Sequence, residues 1–131
     1  MPEKWIFLLV SEEEESLWPS VLRRALAPLG ELQVLSEEKA LQAVSARPVP
    51  MVILDAAGVR DVASLTSRLK KQRPDLHVVV ATASPTWRRA RNALQAGASD
   101  YIGKSLEEEK LRAQIEAVLK LPPPRAFNAQ E

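Results

Sequence analysis

Apolar residues along this chain fall into short unbroken runs, separated by stretches in which they recur every three or four positions. Trp5-Ile6-Phe7-Leu8-Leu9-Val10, Met51-Val52-Ile53-Leu54 and Leu76-His77-Val78-Val79-Val80 are the clearest runs. Runs of this length predict strands, and those without polar alternation predict strands covered on both faces, as at the centre of a parallel sheet. Two shorter strands are predicted over 31–35 and 100–102.

The intervening stretches predict helices. Ser16 offers a cap and Pro19 lies in the first turn of a helix whose apolar face is Val21, Leu22, Ala25, Leu26 and Leu29. Ser36 opens a second helix with Ala40, Leu41, Ala43 and Val44, which Pro48 and Pro50 end. A third is predicted over 59–72, with Val62, Leu65 and Leu69 facing the sheet. Ser84-Pro85 reads as a cap with proline at the first helical position, and Gly97 as the stop of that fourth helix. Ser105-Leu106-Glu107-Glu108 reads as a capping box for the last helix, with Leu106, Leu111, Ile115, Val118 and Leu119 as its face. Strand and helix thus alternate five times, with connections too long for hairpins. That order predicts one α/β domain over 1–121, with helices on both faces of the sheet and a Pro-rich tail or linker over 122–131.

Composition narrows the chemistry. A formal net charge of +1 on 131 residues argues against a direct nucleic-acid or membrane-surface role. The absence of cysteine removes disulfides, thiolate catalysis and thiolate metal sites, and suits a cytoplasmic location. With a single histidine, metal chemistry would rest on oxygen ligands, which favours magnesium, calcium or manganese. The longest apolar run, over 5–10, is too short to span a membrane.

Polar groups collect where the strands end. Ser11, Glu12 and Glu13 follow the first strand, Asp55 ends the third, Thr82 lies just beyond the fourth and Lys104 follows the fifth. Carboxyl ends of parallel strands form the crevice in which open α/β sheets bind ligands. Asp55 read by itself is equally a strand-ending or helix-capping carboxylate. The acidic run over 12–15 also reads as a solvated helix start, and His77 as a structural residue.

Four pieces in order carry a resemblance to a known family: Val10-Ser11-Glu12-Glu13, Val52-Ile53-Leu54-Asp55, Val79-Val80-Ala81-Thr82-Ala83, and the run from Ala93 through Gly97, Asp100 and Tyr101 to Lys104. Over about 4–120 the chain resembles the receiver domain of two-component response regulators. The resemblance implies a flavodoxin-like (βα)5 three-layer sandwich with parallel sheet order 2-1-3-4-5. It implies a signalling domain rather than an enzyme, in which Asp55 accepts a phosphoryl group from a histidine kinase or phosphotransfer protein and passes the signal to a downstream protein target. Asp55, Glu12 and the Ala57 carbonyl would hold Mg²⁺, Lys104 would pair with the phosphoryl group, and Thr82 would hydrogen-bond it. Tyr101 takes the aromatic switch position. Trp87 lies on the partner face formed by the fourth helix, fifth strand and fifth helix, through which such domains also form homodimers.

The chain departs from the family pattern at three places. Ser11-Glu12 replaces a pair of acids, usually aspartates, and magnesium tolerates little departure from octahedral geometry. Ala56-Ala57-Gly58-Val59 replaces the usual glycine-containing turns after the acceptor. Ser105 replaces the proline after the lysine, and a cis bond before serine would cost about 2.5–4 kcal/mol, so a trans bond and a differently aimed ammonium are expected. These departures support an alternative function, a pseudo-receiver that works as a phosphorylation-independent protein-interaction module.

Overall fold

The computed structural model describes residues 5–11 and 17–124. Its elements run β1 Trp5–Val10, α1 Trp18–Leu26, β2 Gly30–Leu35, α2 Glu37–Ala46, β3 Met51–Asp55, α3 Val62–Gln72, β4 His77–Thr82, α4 Trp87–Gln95, β5 Asp100–Gly103 and α5 Glu108–Leu119. All neighbouring strands pair in parallel, in the order β2-β1-β3-β4-β5, so the expected flavodoxin-like sheet is the observed one.

Successive side chains of a strand point to opposite faces, so each unbroken apolar run feeds two cores at once. On one face Leu8, Val10, Val52, Leu54, Val78 and Val80 pack with Leu41 and Val44 of α2 and Leu65 and Leu69 of α3. On the other, Phe7, Leu9, Ile53 and Val79 pack with Trp18 and Leu22 of α1 and Leu111 and Ile115 of α5. β3 and β4 are buried at every position, as a central parallel strand must be.

Several boundaries differ from the sequence reading. α3 begins at Val62 rather than 59, because the Asp61 side chain accepts from Ser64 N at 3.0 Å and caps the helix there. α4 is capped by Thr86, whose hydroxyl accepts from Arg89 N at 3.3 Å; Ser84-Pro85 lies ahead of it in the loop. The capping box at the last helix does not form. Ser105 Oγ accepts from Glu107 N at 3.0 Å in a local turn, α5 starts at Glu108, and Leu106 is 63% exposed instead of facing the core. The Ser105 hydroxyl is thus satisfied two residues onward, which leaves the next residues to begin the helix. β4 runs on through Thr82, two residues further than its apolar run suggests, because Lys104 N donates to the Thr82 carbonyl at 2.9 Å. Ser36 does cap α2, with its hydroxyl 3.3 Å from Lys39 N. α1 carries its proline in the first turn, while the expected cap Ser16 lies outside the described residues. At the close of α4, Gly97 adopts φ 112°, with its N–H on Leu94 O at 3.1 Å.

Candidate functional site

Asp55 is fully buried at the carboxyl end of β3. A buried carboxylate needs partners, since desolvation of an unpaired charge is prohibitive. Three are present. Lys104 Nζ lies 2.6 Å from Oδ1, Ala57 N donates to the same oxygen at 3.0 Å, and the Ser11 hydroxyl donates to Oδ2 at 3.3 Å. The turn that carries Ala57 is closed by Gly58 N on the Asp55 carbonyl at 2.9 Å. The backbone after β3 therefore folds back to bring an N–H onto its own carboxylate.

Lys104 reaches Asp55 from β5, two strands away, with only 11% of its side chain exposed. Its placement has several supports. Its N–H extends the β4–β5 ladder onto Thr82, and Ser105 N turns back to the Gly103 carbonyl at 2.9 Å. The indole of Trp18 donates to the Ser105 carbonyl at 3.0 Å, and the Lys104 ammonium lies 5.8 Å from the centroid of the same ring. No cis peptide bond occurs among the described residues, so the Lys104–Ser105 bond is trans and the ammonium still reaches the carboxylate. No pattern in the sequence points to Trp18 as part of this site. The one local clue is an aromatic residue directly before Pro19, which says nothing about a loop so far along the chain.

Thr82 ends β4 one position beyond Ala81, the residue in register with Asp55. It is buried, and its hydroxyl accepts from Ser84 N at 3.1 Å, which ties it to the β4–α4 loop. Tyr101 on β5 is partly buried against the α2–α3 side of the core, and its phenolic oxygen is buried without a hydrogen-bond partner. Trp87 opens α4 with 77% of its surface exposed and the Arg91 guanidinium 5.5 Å from its ring centroid. The structure thus brings Ser11, Asp55, Thr82 and Lys104 to one sheet edge and leaves Trp87 on the outer surface. Glu12, the expected second acid, lies outside the described residues.

For magnesium the described residues supply half a site. Asp55 is the one carboxylate among them at this edge, its charge is already balanced by Lys104, and Ser11 presents a hydroxyl where an acid is usual. A hard divalent cation bound by one neutralised carboxylate would need a further acidic ligand.

Comparison with known proteins agrees with this arrangement. Residues 13–116 match the response regulator receiver domain. The DNA-binding transcriptional regulator NtrC of Rhizobium meliloti (strain 1021) is 31% identical over 127 residues, which are 95% of this chain and 26% of that protein. The chain therefore spans about a quarter of the length of that curated relative. Among solved structures, HP1043, an orphan response regulator of H. pylori, superposes with a TM-score of 0.77 at 25% identity, covering 88% of this chain and 97% of that one. A response regulator from Thermotoga maritima gives a TM-score of 0.81 at 20% identity over 91% of this chain and 100% of that one. The matched segment contains Asp55, Thr82, Tyr101 and Lys104 at the strand ends just described, and the chain accordingly belongs to the response regulator receiver domain family, a family of signalling modules whose only catalysis is their own phosphotransfer.

Proposed function

We propose that this chain is a receiver of a phosphorelay in which Asp55 accepts a phosphoryl group from a histidine kinase or a phosphotransfer protein. The observation that carries this reading is the Lys104–Asp55 contact of 2.6 Å. A carboxylate oxygen of Asp55 attacks phosphorus as the bond from phosphorus to the donor's histidine nitrogen breaks, and that nitrogen keeps the electron pair. Lys104 then exchanges its carboxylate contact for the phosphoryl oxygens, and Thr82 supplies a hydroxyl at the neighbouring strand end. Magnesium, when bound, would neutralise charge on the transferring group. Glu12, Asp55 and the Ala57 carbonyl are the ligands assigned to it, with affinity lowered by Ser11. Residues 1–121 form the domain in this proposal, 122–131 serve as tail or linker, and the location is cytoplasmic. Tyr101 and Trp87 mark the face of α4, β5 and α5 for a downstream protein or a second copy of the chain.

Incubation with Mg²⁺ and acetyl phosphate, read by intact mass, should add one phosphoryl group to the wild type and none to Asp55→Asn. Absence of the added mass, or its persistence in Asp55→Asn, would remove the assignment. Light scattering with and without beryllofluoride tests the dimer, and a species that stays monomeric throughout opposes it.

A second reading rests on a specific observation: Asp55 is fully buried and both its oxygens are already engaged. Such a closed site suits a module that binds its partner without phosphorylation. Titration with Mg²⁺, followed by tryptophan fluorescence, separates the readings. A saturable change favours phosphoryl transfer, and a flat response favours the phosphorylation-independent module.

A further inference from the structure

Between α3 and α4, on the face of the sheet away from α1 and α5, lies a cavity of about 400 Å³. It exists because α4 has almost no apolar face. Ala93 is its one buried residue, so little of this helix packs onto the sheet. Small side chains, Ala56, Ala63 and Ala93, line the space where larger ones would fill it, with Val59 and Val80 also in the wall. Its volume is in the range of small-molecule sites, about 300–1,000 Å³.

The polar groups in the lining are mostly donors. Tyr101 belongs to the wall, with its phenolic oxygen enclosed beneath the surface. Arg60, from the loop after β3, and Arg89, on α4, contribute guanidinium groups, and neither has an ion pair among the described residues. Asn92 adds an amide. The single carboxylate in the lining, Asp61, already has one oxygen on Ser64 N as the cap of α3. The opening therefore carries a positive excess above an apolar floor.

We infer that the α3–α4 cavity binds a small organic anion, with its apolar body against the half-buried Ala56, Val62 and Ala63 and its carboxylate or phosphate at Arg60 and Arg89. Guanidinium groups are the donors such an anion requires, and the apolar wall selects against inorganic ions alone. The site is separate from the Asp55–Lys104 pair, although Ala56 in its wall is the next residue after Asp55.

The test uses 2-naphthoate as probe and 2-naphthamide as its uncharged counterpart, with the full chain observed by ¹H–¹⁵N correlation spectra. Saturable shifts at the amides of Ala56, Ala93 and Tyr101 are expected with 2-naphthoate. Binding should be about tenfold weaker for 2-naphthamide and for Arg89→Met or Arg60→Met, the scale of losing a hydrogen bond to a charged group. Equal binding of the two probes, indifference to both arginine substitutions, shifts confined to another face, or no saturation at millimolar probe would each overturn the inference. Because the readout is binding rather than phosphorylation, its outcome is independent of whether Asp55 accepts phosphate.

Discussion

Trp18 donates its indole N–H to the carbonyl oxygen of Ser105 at 3.0 Å, tying the start of α1 to the loop that carries the lysine of the site. The ring is almost wholly buried, and the Lys104 ammonium sits 5.8 Å from its centroid. The loop after Lys104, where Ser105 stands, is thus held by a side chain from the other end of the domain. Trp18→Phe keeps an aromatic ring and removes the N–H, so it should cost about 1–3 kcal/mol of stability in urea denaturation. The Lys104 side-chain resonances should move with it. Unchanged Lys104 signals would mean that the indole does not position the ammonium.

The Lys104–Asp55 pair predicts an asymmetric mutant cycle. Lys104→Met leaves a carboxylate buried without its cation and should destabilise by about 3–5 kcal/mol. Asp55→Asn leaves a lysine that can extend toward water, and should cost less. Adding Asp55→Asn to Lys104→Met should recover much of the loss, since no buried charge then remains. Additive effects in denaturant titrations would contradict a direct pair.

His77 sets a pH dependence. Nε2 is 2.9 Å from the Leu121 carbonyl and so carries the proton, while Nδ1, 2.6 Å from Ser99 Oγ, accepts from that hydroxyl. Burial lowers its pKa below the usual 6.5; the Leu121 hydrogen bond opposes this and the nearby Lys70 charge adds to it. The unfolded chain therefore takes up this proton at higher pH than the folded one. The stabilising contribution is fully present above about pH 6.5 and is lost as the pH falls through the lowered folded pKa. Denaturation midpoints of wild type and His77→Gln between pH 7.5 and 5 should converge as the pH drops, in buffers spanning about that window. A constant difference would show that His77 does not titrate on unfolding.

Gly97 is the one described residue with positive φ, at 112°. A β-carbon is strained there, so Gly97→Ala should destabilise by about 1–3 kcal/mol and lower the thermal midpoint. Ala96→Gly, one position earlier at φ −76°, lacks that backbone demand and serves as the control. Equal effects would point to lost packing instead.

The sequence by itself determined the architecture and the place of Asp55 in it. Unbroken apolar runs and helical repeats are local patterns, and burial on both faces demands them wherever in the chain a central strand lies. Asp55 at the end of one such run, with Thr82 and Lys104 at two others, was legible because parallel topology sends every strand's carboxyl end to the same edge. Helix starts were less legible. Ser84 and Ser105 have the chemistry of caps, yet Thr86 caps α4 and Ser105 closes a turn, because a hydroxyl near a helix end has several backbone N–H groups within reach. Tertiary structure alone decided what surrounds Asp55. The Ser11 hydroxyl on its second oxygen comes from 44 positions away, and the Trp18 bond to the Lys104 loop spans 87. The space beside Tyr101 follows from how little of α4 packs onto the sheet. Contacts of that range are set by how the layers close over the sheet, a relation between distant segments that no local pattern encodes.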